Sequence, residues 1–133
     1  MVKFLYNLTR ELRPRQWLKN LAVFAAIIFT GQLFQQDLFL VSLWAFLVFC
    51  LLSSASYLIN DVVDAPRDKL HPVKKLRPIA AGVISPKLAL SLAGGGILAG
   101  LLGAKTLGGP FFFGAGLLFV FNLAYYLILK ILA

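Results

Sequence analysis

The sequence predicts an all-α fold, a polytopic bundle of transmembrane helices in a cell membrane. Of the 133 residues, 60% are hydrophobic and only 14% are charged, whereas an ordinary soluble domain is about half apolar and about a quarter charged. The apolar residues are collected in blocks close to the roughly 20 residues that a helix needs to cross a bilayer. A soluble fold of this length could not bury so many apolar side chains, so the lipid bilayer is the predicted partner of most of this surface.

Four apolar segments define the predicted helices of a single domain that covers the chain. They lie at about 18–34, 38–59, 88–107 and 111–132. The first is short and ends in a polar stretch, the second ends where the acidic residues begin, and the fourth begins with a run of phenylalanines. Backbone that faces lipid can satisfy its hydrogen bonds only as a helix. The charged segment 60–87 is therefore predicted to be the loop between the second and third helices.

The third segment contains five glycines, of which Gly96 and Gly100 are four residues apart. A phosphate-binding glycine loop follows a strand, and no strand is predicted before this segment. Small residues at a spacing of four let transmembrane helices approach closely. The glycines therefore predict tight packing against a neighbouring helix.

The basic residues predict the orientation of the chain in the membrane. With the N-terminus in the cytoplasm, twelve of the thirteen lysines and arginines fall on the cytoplasmic side, and only Lys105 lies outside. Such an imbalance sets membrane topology. The net charge of +8 does not indicate nucleic acid as a partner, because no soluble module is present to carry a basic surface. The N-terminus and the charged loop are thus predicted to be cytoplasmic.

Three aspartates at the start of the predicted loop, Asp61, Asp64 and Asp68, are spaced by three and then four residues. On a helix this spacing places carboxylates on one face, where they repel each other unless a cation lies among them. Oxygen ligands of this kind suit Mg²⁺, which commonly bridges one or two carboxylates to substrate phosphates. Asn60 lies at the edge of the same group. Pro66 predicts a kink or an end of the helix between Asp64 and Asp68, so the shared face is predicted for Asp61 and Asp64. Asp68 could still converge with them if Pro66 opens a new short helix.

A dense group of bases follows the aspartates: Arg67, Lys74, Lys75 and Arg77. Cationic side chains of this kind can neutralise the charge that develops on a departing diphosphate. A loop that is charged only to be solvated is the alternative. Against that alternative, the carboxylates lie at the end of a transmembrane segment, where ionisable residues tend to be functional.

The stretch NDVVDAPRD matches the pattern NDxxDxxxD, and Arg77-Pro78 is followed by Gly82. In these motifs the sequence resembles the UbiA-like superfamily of intramembrane prenyltransferases. The stretches LRPRQWLKN and HPVKKLRPIAAG are similar to the phosphoribosyltransferase branch of that superfamily. The resemblance implies transfer of 5-phosphoribose from phosphoribosyl pyrophosphate to a polyprenyl phosphate, in cell-wall biosynthesis.

The resemblance also implies roles for individual residues. Asp61, Asp64 and Asp68 would be catalytic and would bind Mg²⁺ and the donor diphosphate, with Asn60 in support. The four bases that follow would hold donor phosphates. Arg13, Arg15 and Lys19 would meet the lipid phosphate, although anchoring of the topology explains them as well. Tyr125 and Lys130 resemble a pair that reaches the site from a later helix, and a snorkelling lysine is the alternative for Lys130.

The sequence departs from the superfamily pattern in one respect, because no Asp or Glu follows Asp68. The superfamily has about nine transmembrane helices and a second aspartate-rich motif. We therefore expect the chain to be the N-terminal part of a larger enzyme, inactive until the missing half completes the site. Two alternatives remain open: transfer of a prenyl group from a prenyl diphosphate to an aromatic or other acceptor, and a non-catalytic membrane protein.

Overall fold

The computed structural model describes residues 1–132, and the regular secondary structure within them consists of helices joined by turns. The α-helices are α1 (Val2–Leu12), α2 (Ala25–Phe29), α3 (Gln36–Asp68), α4 (Pro86–Thr106) and α5 (Gly109–Leu132), with 3₁₀ helices at Pro14–Phe24 and Lys74–Leu76. Three of them, α3, α4 and α5, are long and apolar enough to cross a membrane. The predicted fold class, an all-α membrane helical bundle, is confirmed.

Contacts between distant residues show that consecutive helices run in opposite directions, so that α3 and α5 are parallel to each other and α4 is antiparallel to both. Arg13, at the start of the first 3₁₀ helix, pairs with Asp61 near the end of α3, and Lys130 near the end of α5 pairs with Asp64. At the opposite end, Trp44 Nε1 of α3 donates to the carbonyl of Gly103 in α4 at 3.1 Å. We call the first of these two ends the aspartate end of the bundle.

The segment predicted as the first transmembrane helix, 18–34, has a different structure from the one expected. It is formed by the 11-residue 3₁₀ helix Pro14–Phe24 and the five-residue α2, and the chain turns at Gly31, which has a φ of 71°. A 3₁₀ helix rises about 2.0 Å per residue and an α-helix about 1.5 Å. The two together therefore extend about 30 Å, the thickness of the hydrocarbon core of a bilayer. A fourth membrane crossing by this composite helix stays a prediction.

The first 3₁₀ helix packs antiparallel on α3 through three pairs. Trp17 Nε1 donates to Ser54 Oγ at 2.9 Å, Asn20 Nδ2 donates to Ser53 Oγ at 3.3 Å, and the ring of Phe24 lies 5.9 Å from that of Phe46. As the residue numbers rise along the 3₁₀ helix, those of its partners fall along α3, so the two helices run in opposite directions.

The predicted loop 60–87 is wrong at its start, because α3 continues to Asp68. Pro66 does not end the helix: the backbone N–H of Lys69 still donates to the carbonyl of Ala65 at 3.1 Å. The prediction placed the boundary where hydropathy falls. The charged turns nevertheless stay helical, since cationic side chains from other parts of the chain pair with their carboxylates.

The core lies mainly between α3 and α4, where three of the five glycines of α4, Gly96, Gly100 and Gly103, face α3. A Cβ at Gly96 would meet the Cβ of Ala55 at 3.5 Å, and one at Gly100 would meet Leu52 Cδ2 at 2.8 Å. Gly94 and Gly95 face open space. The close packing predicted from the spacing of Gly96 and Gly100 is therefore present, and it holds α4 and the turn before it against the aspartate end of α3.

Candidate functional site

Asp61 and Asp68 lie on one face of α3 at the aspartate end, and both are buried, with 2% and 4% of their surface exposed. They are seven residues apart, close to two turns of an α-helix, so the continuation of α3 through Pro66 is what aligns them. Nη1 of Arg77 lies 3.3 Å from Oδ1 of Asp61 and 2.9 Å from Oδ2 of Asp68. One cationic nitrogen from the α3–α4 loop thus joins two carboxylates of α3.

Arg13 brings a second guanidinium to Asp61. Its Nη2 donates to Oδ1 and Oδ2 of Asp61 at 2.6 and 2.7 Å, and its guanidinium carbon lies 4.8 Å from the ring centre of Tyr57. The backbone of Arg13 is left-handed, with φ 50° and ψ 61°, where α1 ends and Pro14 begins the 3₁₀ helix. This sharp change of direction places the side chain over α3.

Asp64 faces a different neighbour, Lys130 of α5. Nζ of Lys130 lies 3.0 Å from Oδ1 of Asp64 and donates to both the side-chain and the backbone oxygen of Asn60. Arg67 lies beside them and lines a shallow pocket with Asp64 and Lys130. Each of the three predicted aspartates is therefore paired with a cation that comes from another part of the chain.

Glu11, in the last turn of α1, is a member of this cluster that the sequence prediction missed. It is 2% exposed, and its Oε1 accepts a hydrogen bond from the backbone N–H of Ile79 at 3.3 Å. Burial, and then the hydrogen bond and the negative charge of Asp61, raise the pKa of Glu11 from 4.5 to about 7. The sequence did offer one signal of its role, since Glu11 is an acidic residue two positions before Arg13 in an otherwise basic segment.

Five of the predicted site residues make no contact with the aspartates within residues 1–132. Arg15, Lys74 and Lys75 are exposed on the surface, and Tyr125 is 61% exposed on α5. Its neighbour Tyr126 turns inward and lies near Tyr57, with ring centres 6.3 Å apart. The fifth residue, Lys19, instead lines a cavity. The cationic contacts of the site thus come from Arg13, Arg77 and Lys130.

A cavity of about 370 Å³ lies between the first 3₁₀ helix, α3 and α5. The part of its wall nearer the aspartate end is polar and includes Gln16, Lys19 and Tyr57, and the deeper part is apolar and includes Phe49 and Phe119. Its polar end adjoins the site through Tyr57, on which Arg13 stacks. The cavity therefore offers both polar and apolar contacts beside the carboxylates.

The carboxylates can be compared with what Mg²⁺ requires of a protein. Among residues 1–132, no three acidic, histidine or cysteine side chains are grouped closely enough to hold a metal ion. Two carboxylates do converge, because Asp61 and Asp68 share the cationic nitrogen of Arg77. Mg²⁺ usually takes one or two carboxylates and completes its shell with water and substrate phosphates. The donors of Asp61 and Asp68 fit that pattern, whereas Asp64 points to Lys130.

Comparison with known proteins finds a match to the UbiA prenyltransferase family over residues 20–131. Decaprenyl-phosphate phosphoribosyltransferase of Mycolicibacterium smegmatis is 48% identical over 92 residues, which cover 66% of this chain and 29% of the relative. The protein of the same name from Corynebacterium glutamicum is 43% identical over 89 residues, covering 65% and 27%. Nodulation protein NoeC of Azorhizobium caulinodans is 39% identical over 74 residues, covering 55% and 24%. The chain thus matches less than a third of the length of these relatives.

Proposed function

The chain belongs to the UbiA prenyltransferase family, and from this premise we propose that it takes part in transferring 5-phosphoribose from phosphoribosyl pyrophosphate to a polyprenyl phosphate. The observation that carries the proposal is the convergence of Arg13, Arg77 and Lys130 on the aspartates of α3. A site for a metal-bound diphosphate needs positive and negative side chains close together. The positive side chains bind the oxygens of the diphosphate, and the carboxylates bind the metal ion. The names of two relatives favour ribose as the transferred group.

In the proposed reaction, the bond between C1 of the ribose and an oxygen of pyrophosphate breaks. A phosphate oxygen of the lipid forms the new bond to C1, and pyrophosphate leaves. The attacking phosphate oxygen is already ionised, so the reaction needs no strong general base. Positioning of the two substrates and stabilisation of the charge on the leaving group are what remain for the protein to supply.

The donor would be held by an exchange of partners at the aspartates. Arg77 and Arg13 are bound to carboxylates, and guanidinium groups bind phosphate oxygens equally well and often in bidentate fashion. As they turn to the pyrophosphate, the oxygens of Asp61 and Asp68 become free to hold Mg²⁺. A bound Mg²⁺ would neutralise part of the diphosphate charge. Lys130 and Asp64 would form the edge of the site on the side of α5.

The acceptor would occupy the cavity between the first 3₁₀ helix, α3 and α5. Its polar wall offers Lys19 and Gln16 to a phosphate, and its apolar wall offers Phe49 and Phe119 to isoprene units. A polyprenyl phosphate has these two parts in the same order. Transfer of a prenyl group is the second candidate, because the same apolar wall would receive the chain of a prenyl diphosphate.

The complete activity is proposed for a protein of the relatives' length, since the matched region covers only 27–30% of the decaprenyl-phosphate phosphoribosyltransferases. We propose that further helices supply the remaining metal ligands. We propose also that the aspartate end faces the cytoplasm, where phosphoribosyl pyrophosphate is available.

A chimera tests the proposal. The matched segment of the Mycolicibacterium smegmatis relative is replaced by this chain, and membranes are incubated with Mg²⁺, decaprenyl phosphate and labelled phosphoribosyl pyrophosphate. We expect label in the lipid phase, and its loss in the Asp61→Asn chimera. Transfer of label from a labelled prenyl diphosphate to an aromatic acceptor, with none from phosphoribosyl pyrophosphate to the lipid, would establish the second candidate instead. Full activity of Asp61→Asn would rule out the proposed site.

A further inference from the structure

Glu11 is among the most deeply buried large side chains of the protein, although it carries an ionisable group. Burying a carboxyl is costly unless it is paired or hydrogen-bonded. Within residues 1–132, Glu11 takes part in no ion pair. Its hydrogen-bond partner is the backbone N–H of Ile79, and the side chain of Asp61 lies near enough to raise its pKa. Compensation of charge therefore does not explain why a glutamate lies here.

The position of Glu11 in the chain connects the two segments that carry the arginines of the site. Arg13 follows it by two residues, and Arg77 precedes its partner Ile79 by two residues. The turn from Arg77 to Gly82 is closed by hydrogen bonds of its own, from Ala81 N to Arg77 O at 2.8 Å and from Gly82 N to Ile79 O at 3.2 Å. Within this turn, the backbone N–H of Ile79 donates its hydrogen bond to Oε1 of Glu11.

We propose that Glu11 is a positioning residue, which fixes the Arg77–Gly82 turn to the end of α1 so that Arg13 and Arg77 both reach Asp61. One short side chain then sets the distance between two guanidinium groups that come from residues 64 positions apart in the chain. Since Asp61 also lies near Glu11, the three segments come together around a single carboxyl. The anchoring of the turn is independent of the proposed function, and only its expected effect on diphosphate binding rests on that function.

A glutamine at position 11 would keep both contacts. Its amide oxygen can accept from the N–H of Ile79, and its NH₂ group can donate to the carboxylate of Asp61. An alanine would remove both and leave a buried backbone N–H without a partner, which destabilises the turn. The comparison of these two variants therefore separates positioning through hydrogen bonds from any need for charge.

The test uses the chain in lipid nanodiscs as wild type, Glu11→Gln and Glu11→Ala. The control is Thr9→Ala, which removes a hydrogen bond to the carbonyl of Leu5 on the exposed side of the same helix. Amide hydrogen exchange is followed in residues 77–82, and calorimetry measures the binding of inorganic pyrophosphate in the presence of Mg²⁺. In Glu11→Ala we expect exchange in 77–82 to become about tenfold faster and binding about tenfold weaker, which corresponds to about 1.4 kcal/mol. Glu11→Gln and Thr9→Ala should stay within about twofold of wild type, a margin of about 0.4 kcal/mol.

Unchanged exchange in Glu11→Ala would overturn the proposal, and so would an equal loss in Glu11→Gln. If the wild-type chain does not bind pyrophosphate, the proposed function of this segment loses its support. The exchange data would still decide whether Glu11 anchors the turn.

Discussion

Arg13 combines an unfavourable backbone conformation with the shortest ion pair of the site. Its φ of 50° is the only positive value of a residue other than glycine among the residues with described backbone. Such a conformation costs a non-glycine residue about 1–2 kcal/mol. Backbone strain of this kind persists where the surroundings hold it in place, and it collects at functional sites. Here the 2.6 Å contact with Asp61 and the stacking on Tyr57 hold the side chain.

Two substitutions at Arg13 separate the strain from the ion pair. Arg13→Ala and Arg13→Gly both remove the guanidinium, but glycine adopts a positive φ without a steric penalty. We therefore expect Arg13→Gly to be more stable than Arg13→Ala by about 1 kcal/mol. Thermal unfolding in detergent measures the difference, and equal stabilities would show that the backbone at this position carries no strain.

Asp61 is contacted by both arginines, so its neutralisation should affect stability as well as ligand binding. Asp61→Asn leaves two guanidinium groups, 27% and 32% exposed, near a neutral side chain. Loss of one partner of a fully buried pair costs about 3–5 kcal/mol, and the exposure of the arginines makes the cost smaller here. We expect the variant to unfold at lower temperature and to lose any thermal stabilisation by pyrophosphate with Mg²⁺.

Asp37→Asn, at the opposite end of α3, is the matched control. A stabilisation by ligand that survives in Asp61→Asn but disappears in Asp37→Asn would contradict the location of the site.

At the scale of the elements, the close contact between α3 and α4 depends on glycines at three positions of α4. The Cβ of a leucine at position 100 would lie 2.8 Å from Cδ2 and 3.0 Å from Cγ of Leu52. Gly95, in contrast, faces open space. Overpacking of this kind costs about 1–3 kcal/mol or more. We expect Gly100→Leu to lower the unfolding temperature strongly and Gly95→Leu to change it little. Equal effects of the two would mean that α4 is rotated from the orientation described.

Sequence periodicity and hydropathy were sufficient to predict α3, α4 and α5, because the side chains that face lipid dominate the composition of these helices. They were not sufficient for the segment 14–29. A 3₁₀ helix and an α-helix present similar apolar composition, and the choice between them here depends on the pairs that Trp17, Asn20 and Phe24 form with α3. Such pairs exist only in the folded protein.

The candidate site was predictable to the extent that it depends on spacing within one helix. The spacing of Asp61 and Asp64 predicted a shared helical face, although the second helix was expected to end at 59, and Lys130 was named as a residue that reaches the site. The role of Asp68 was left uncertain by Pro66, since the compensating contacts of Arg77 come from the following loop. Glu11 was missed because its partner, the backbone of Ile79, is 68 residues away in the chain.

At the scale of the whole molecule, the ion pairs place the N-terminal segment, the α3–α4 loop and the end of α5 at one end of the bundle. We therefore expect these regions to lie on one side of the membrane, and Lys105 to lie on the other. Single cysteines at Lys74 and Lys105, introduced with Cys50→Ala, can be labelled with an impermeant maleimide. Lys74→Cys should react only in inverted vesicles and Lys105→Cys only in intact spheroplasts. Reaction of both from one side would exclude the antiparallel arrangement in the membrane.

The pairing of each aspartate with a cation from a different part of the chain has a consequence for biogenesis. If α5 were inserted upside down, Lys130 would be carried to the far leaflet and Asp64 would have no counter-ion. A misplaced N-terminal segment would likewise deprive Asp61 of Arg13. In the topology described, all three aspartates at the aspartate end have a cationic partner, so the charges proposed to bind a substrate would also favour this topology over inverted ones during synthesis.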